Sequence, residues 1–343
     1  MRFAIVLLVT TTRIVRSTTT MKISDDSSDD NNNEDWVTCG GLETSMNRTA
    51  CPSSRSTCCK QSWSPSEGNW GCSNFLNATC CENGYTSCPE GYRCVDTGSG
   101  WGVSTACTKK ETNETVSGQQ VCKQGAPIPF DATRKNVLIL GDSVSIGYTP
   151  FVASQLQSIA LVQHTPWGGD GGAEETAYGW QCLDYLLRAP NGKQLRPDML
   201  YFNFGLHNTV DPVKNPGLVI PGQSGLDTEY MPYLRKIVKY LHEWAGDDVK
   251  LLFALTSPMM NSKAVDDIVL KNNAQAQELM NQYNITTIDL HTPIVKKCGP
   301  VPQSSCMGIP SCWSPHCPQG YEWLANSTVT PAIRNMLLIE GGY

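Results

Sequence analysis

Residues 136–151 read NVLILGDSVSIGYTPF, and this stretch decides the fold. The unbroken apolar run Val137–Leu140 has the pattern of a strand buried on both faces. Gly141-Asp142-Ser143 follows it as a turn, and the chain then takes up helical spacing from Gly147 to Ile159. A buried strand that ends in a polar turn and feeds a helix is the first half of a βαβ unit. It raises the question whether Ser143 is a nucleophile held at a strand end or an ordinary turn residue, since Gly, Asp and Ser are all common in turns.

The alternation continues to the C-terminus. Strands are predicted at Leu161–His164, Met199–Phe204, Val249–Thr256 and Ile285–Leu290. Helices are predicted at Ala173–Arg188, Glu229–Trp244, Asp266–Tyr283 and Pro318–Ile339. This pattern implies an α/β domain with a doubly wound, mostly parallel sheet covered by helices on both faces, an α/β/α sandwich. Ligands of such sheets bind outside the carboxyl ends of the strands, and Ser143 stands at such an end.

Upstream the composition is different. Ten of the chain's sixteen cysteines fall between Cys39 and Cys107, in a segment poor in aliphatic residues. So small a core needs covalent staples, which makes disulfides the expected framework and zinc the lesser reading. The spacing of Cys51, Cys58-Cys59, Trp70-Gly71-Cys72, Cys80-Cys81, Cys88-Pro89 and Gly91-Tyr92 with Cys94 resembles a granulin module. Two further Cys-Cys pairs of that family read Cys72-Ser73 and Ser87-Cys88 here, a replacement that removes one bridge.

The domain reading is therefore a signal peptide over residues 1–20, with its apolar run Phe3 to Val9, and an acidic disordered spacer over 21–38. A Cys-rich module follows over 39–107, then a linker over 108–134 and the α/β domain over 135–343. Five N-x-S/T sequons, at Asn47, Asn77, Asn113, Asn284 and Asn326, agree with a secreted glycoprotein. Net charge is -6 with no basic face in view, which argues against a nucleic-acid partner. No apolar run reaches the length of a transmembrane helix. The Cys-rich module is a candidate for extracellular protein contacts.

Of five histidines, His242 falls on a predicted exposed helix face, His291 in a turn after a strand and His164 at a strand end. His207 lies in FNFGLHN, and His316 in CWSPHCPQGYEWLA just before the last helix. Gly141-Asp142-Ser143 after the first strand, with HCPQGYEWLANSTV before the last helix, resembles the SGNH, or GDSL-like, hydrolase family. That resemblance implies Ser143 as nucleophile and His316 as base. The family has Asp three residues before the His, where this chain has Trp313. The Trp313 main-chain carbonyl is then the acceptor that orients His316, giving a Ser-His dyad.

The family's Gly-x-Asn-Asp block reads Gly205-Leu206-His207-Asn208, so either His207 or Asn208 takes the oxyanion-donor place. The remaining donors implied are the N–H groups of Ser143 and of a glycine in WGGDGGAEETAYG, with Gly172 chosen because it precedes a helix. The resemblance implies hydrolysis of an acetyl or short acyl ester of a small molecule or carbohydrate, with no metal or organic cofactor required. Acyl transfer by the same pair and a non-enzymatic binding protein are the alternatives. Cys298, Cys306, Cys312 and Cys317 bracket His316, and Cys122 with Cys182 is a candidate linker-to-domain bridge.

Overall fold

The computed structural model describes residues 35–39, 49–54, 56–60, 70–96, 105–109, 111–112, 114–117, 119–123, 130–166, 172–173, 175–189, 192–209, 230–303, 306 and 318–338. The leader, most of the acidic spacer, Trp313, His316, Cys312 and Cys317 lie outside the described residues, as do Asn47 and Asn113. No described helix is long and apolar enough to cross a membrane.

Five parallel strands form the central sheet: β11 (Lys135–Leu140), β12 (Ala160–Thr165), β13 (Met199–Phe202), β14 (Lys250–Leu255) and β15 (Thr286–Asp289). Their order is β12-β11-β13-β14-β15, a doubly wound arrangement whose switch point lies between the first and third strands. The helices are α1 (Ser143–Leu156), α2 (Thr176–Leu186), α3 (Tyr230–Ala245), α4 (Lys263–Gln282), α5 (His291–Cys298), α6 (Pro318–Leu324) and α7 (Thr330–Leu338). A π-helical turn over Ala325–Val329 joins α6 to α7, so the last predicted helix is nearly continuous.

The alternation of β11 explains the two layers. Leu138 and Leu140 face one core with Leu183 and Leu186 of α2 and Leu234 and Ile237 of α3. Val137 and Ile139 face the other with Tyr148 and Val152 of α1 and Ile333 of α7. All four β11 side chains are fully buried, so a single polar substitution there would strand an unpaired group in one of the cores.

The N-terminal module contains strands β1 (Trp36–Cys39), β2 (Thr49–Pro52), β3 (Thr57–Lys60), β4 (Trp70–Ser73), β5 (Thr79–Cys80), β6 (Thr86–Cys88), β7 (Tyr92–Asp96), β8 (Thr105–Lys109), β9 (Thr115–Ser117) and β10 (Gln119–Gln120). Strand pairing carries this unit past both expected boundaries. Trp36 enters β1 opposite Pro52, β9 pairs with β8 and β10 with β6, so residues 36–38 are not spacer and residues 115–117 and 119–120 are not free linker. A polar composition hid both, because the pairing is supplied by partners distant in sequence.

Five bridges hold the module: Cys39–Cys58, Cys51–Cys72, Cys59–Cys80, Cys81–Cys94 and Cys88–Cys107. Two groups of three cysteine sulfurs come within 4.8 Å of one another, but every one of these sulfurs is in a disulfide. Where the family pattern lacks its two cysteines, Ser87 Oγ donates to Ser73 Oγ at 2.8 Å, and both serines are fully buried. A hydrogen bond stands where a bridge is missing. The double variant Ser73→Cys/Ser87→Cys should close that bridge, leave no new titratable thiol and raise unfolding stability by ~3 kcal/mol, the entropic value for a loop of about 15 residues. Two free thiols in the folded variant would refute it.

The module and the α/β domain share one core. Cys39, Cys51, Cys72 and Cys122 pack in the same cluster as Tyr185 and Leu186 of α2. Ser56 Oγ lies 2.9 Å from the Tyr185 hydroxyl, Asn74 Nδ2 donates to Gln181 O at 3.2 Å, and the Arg188 guanidinium lies 4.4 Å from the centre of the Trp36 ring. Cys122–Cys182 makes the link covalent, the linker-to-domain bridge for which these two cysteines were candidates.

Candidate active site

The turn after β11 builds the site. Asp142 caps α1 by accepting the Val144 N–H at 2.9 Å, which starts the helix at Ser143, four residues earlier than its periodicity indicated. Ser143 is thus the first helical residue. Its Oγ is buried and has no hydrogen-bond partner among the described residues. A serine that only closed a turn would use its hydroxyl on the backbone.

Gly172 lies directly against this turn. It pairs with Asp142 as an isolated antiparallel bridge, and the Ala173 N–H donates to Gly141 O at 2.7 Å. Its φ is +65°, and a Cβ at this position would stand 2.3 Å from Gly141 O and 2.8 Å from Asp142 Cα. Glycine is required here both by conformation and by close approach.

His207 and Asn208 occupy a 3-10 turn, Leu206–Asn208, just beyond β13. Ser143 follows the first strand and His207 the third, so the two flank the switch-point crevice. His207 Nε2 is buried without a partner among the described residues. Asn208 is fully buried, and its amide is engaged at the start of α2: Oδ1 accepts the Thr176 N–H at 3.1 Å, and Nδ2 donates to Thr176 Oγ1 at 3.2 Å. Of the two adjacent residues, the first has an uncommitted polar atom and the second works as a cap.

Asp142 is buried, and burial pushes its carboxyl above the ordinary range, with the charge of His207 pulling the other way. The Tyr321 hydroxyl is pushed up to about 12, first by burial and then by the Asp142 carboxylate. Tyr321 belongs to α6, and its ring packs so closely on α1 that a Cβ at Gly147 would lie 2.5 Å from it. The element that follows His316 in the chain is therefore seated beside the Ser143 turn.

A second Ser-His pair lies beneath the turn. Ser145 Oγ is 2.7 Å from His164 Nε2 and 2.7 Å from Asp142 O. His164 Nδ1 is 3.0 Å from Pro166 O. Burial pulls the His164 pKa down to about 4, with the charge of Lys123 acting in the same direction and the Pro166 carbonyl opposing. A neutral His164 that donates from Nδ1 to Pro166 O presents a bare Nε2 to Ser145 Oγ, whose one hydrogen is shared between that nitrogen and Asp142 O. The pair joins β12 to the turn from below. Sequence reasoning passed over Ser145, whose signal was only its place on the helix face opposite solvent.

The remaining histidines are placed elsewhere. His291 opens α5, where Nε2 lies 3.1 Å from both oxygens of Asp266. It follows the edge strand β15, three strands from β11 and so roughly 14 Å along the sheet. His242 is on the exposed face of α3 and packs edge-on to Tyr283, with ring centres 5.3 Å apart. Cys298–Cys306 closes the loop after α5. Asn77, Asn284 and Asn326 are exposed.

The fold and site define a doubly wound α/β protein with a serine presented at the switch point and a disulfide-built module locked to one of its helical layers. Residues 57–100 match the Granulin family model. Granulin-2 from Cyprinus carpio is 44% identical over 62 residues, which span 18% of this chain and 90% of that protein. Through this module the chain belongs to the granulin family. The α/β fold is similar to an acetylxylan esterase from Geobacillus stearothermophilus (11% identity, 60% of this chain, 95% of that chain, TM-score 0.45). It is also similar to a putative arylesterase from Agrobacterium tumefaciens (13%, 59%, 99%, 0.38) and a lipase/acylhydrolase from Enterococcus faecalis (14%, 59%, 96%, 0.39).

Proposed function

We propose that the protein is a secreted serine ester hydrolase that removes an acetyl or short acyl group from a small alcohol or a carbohydrate. The observation that carries this reading is the buried Ser143 hydroxyl, without a partner among the described residues, at the first turn of α1, beside Gly172 and across the switch point from His207. The seven disulfides among the described residues fit an oxidising compartment.

In this mechanism Ser143 Oγ attacks the ester carbonyl while His316 takes its proton. His316 stands two positions before Pro318, the first residue of α6, in the sequence. α6 packs on α1 through the Tyr321 ring at Gly147. The Trp313 carbonyl accepts from Nδ1 of His316 and fixes the tautomer without adding a full negative charge. Charge developing on the carbonyl oxygen is met by the N–H groups of Ser143 and Gly172 and by His207 Nε2–H. The commitment of Asn208 to Thr176 favours His207 in this role. His316 then protonates the departing alcohol, and water releases the acyl group.

The test is turnover of p-nitrophenyl acetate and butyrate by the intact secreted protein and by three histidine variants. His316→Ala should lose the general base and at least about 10²-fold in kcat/KM. His207→Ala should lose about 10²–10³ in kcat as one oxyanion donor goes, whereas His207→Asn, which keeps an N–H donor, should recover most of it. Turnover unaffected in His316→Ala would remove His316 from the mechanism.

A further inference from the structure

Lys123 is a buried charge with no part in the steps above. It is 3% exposed, and an ammonium so buried must be held by polar partners. Its ammonium donates to Gly172 O at 2.9 Å and lies 5.3 Å from the centre of the Tyr178 ring, and its backbone N–H donates to the Tyr178 hydroxyl at 2.8 Å. His164 feels the same charge beneath the turn.

The lysine is delivered from the granulin side of the molecule. Val121 N–H donates to Tyr85 O at 2.7 Å, Cys72 and Cys122 exchange backbone hydrogen bonds of 3.1 and 2.9 Å, and Cys122 is bridged to Cys182 of α2. Residues 121–123 are therefore clamped between the module and the helix, and the ammonium has little freedom to move.

Its acceptor is the glycine that packs against the nucleophile's turn. The Lys123 ammonium binds the Gly172 carbonyl, and the N–H of the same peptide unit, that of Ala173, donates to Gly141 O at 2.7 Å. Drawing electrons towards that carbonyl makes the N–H on the other side of the peptide a stronger donor, so the two hydrogen bonds reinforce one another. A charged donor also makes a stronger bond to a carbonyl than a neutral one.

We propose that Lys123 is a positioning residue supplied by the granulin-side linker, holding the Gly172 carbonyl so that the Gly172 N–H is aimed at the oxyanion of the Ser143 reaction. This rests on the ester-hydrolase reading. The granulin module then serves the site through the lysine that its last strand leads into.

The experiment compares intact parent, Lys123→Met and Lys123→Arg by amide hydrogen exchange of a peptide spanning residues 172–179 and by ester turnover. In Lys123→Met, exchange in that peptide should rise at least about tenfold, as expected for local opening. In the same variant kcat should fall about 10–100-fold with KM changed less than about twofold, the mark of a misaimed donor rather than a lost binding contact. Lys123→Arg should restore both in large part. If Lys123→Met is not secreted, Lys123→Gln, which keeps a neutral donor, should fall between parent and the Met profile. Unchanged exchange and kcat in a folded Met or Gln variant would overturn the proposal. Faster exchange in the variant with no turnover by the parent would overturn the ester reading and leave the hold of Lys123 on Gly172 supported.

Discussion

Ser143→Ala should abolish ester turnover, by at least about 10³-fold in kcat, while leaving the fold as stable as the parent. Both halves come from the same observation. The hydroxyl has no hydrogen-bond partner among the described residues, so its loss orphans no buried donor or acceptor among them, and the change in unfolding free energy should stay within about 0.5 kcal/mol. The chemical loss is large because oxyanion donors and bound water cannot replace an activated nucleophile. Initial rates on p-nitrophenyl esters and a thermal melt of the same preparation check it. Retained activity in a folded variant would point to another nucleophile, with Ser145 the first to test because it already contacts His164. A parent that neither turns over esters nor reacts at Ser143 with a serine-directed phosphonate would be a binding protein.

Gly172→Ala is expected to be nearly as damaging, by a different route. The added methyl would stand 2.3 Å from Gly141 O, a backbone atom that cannot rotate away. The φ of +65° disfavours any other L-residue and adds about 1–3 kcal/mol of strain. The segment must shift away from the turn, and the donor shifts with it. A displacement of about 1 Å can cost about 10²-fold, so kcat should fall by at least that factor and the melting temperature should drop as well. Kinetics and a melt like those of the parent would remove Gly172 from the site.

The α/β domain was legible because its signals are local. Val137–Leu140 is apolar without interruption since both cores claim it, and every strand of the sheet shows in the sequence at nearly its true position. Helix starts read less well. Periodicity puts the first at Gly147, but the Asp142 cap draws it back to Ser143. The sequence puts His291 in a turn, whereas it opens the short helix α5, because eight residues opening on His-Thr-Pro with no side-chain cap give little helical signal.

Within the site, composition marked a run of glycines and only its place before a helix singled out Gly172, whereas His207 and Asn208 were indistinguishable as neighbours. Only the 3-10 turn separates them, by directing Asn208 to Thr176, 32 residues away in sequence. Lys123 had no signal at all. A lysine in a polar stretch reads as solvated, and its carbonyl partner lies 49 residues further on. The missing cysteine pair was legible only through the resemblance to granulins, and the Ser73–Ser87 contact gives that gap its physical form.

The Cys122–Cys182 bond also bears on what a protease could liberate. It encloses the chain from residue 123 to residue 181, so a nick anywhere in that interval yields two fragments that stay joined by sulfur. A diffusible granulin peptide would require either a cut ahead of Cys122 or a reductant acting with the protease. Even a cut ahead of Cys122 would leave the peptide seated on α2 by the contacts of Trp36, Ser56 and Asn74.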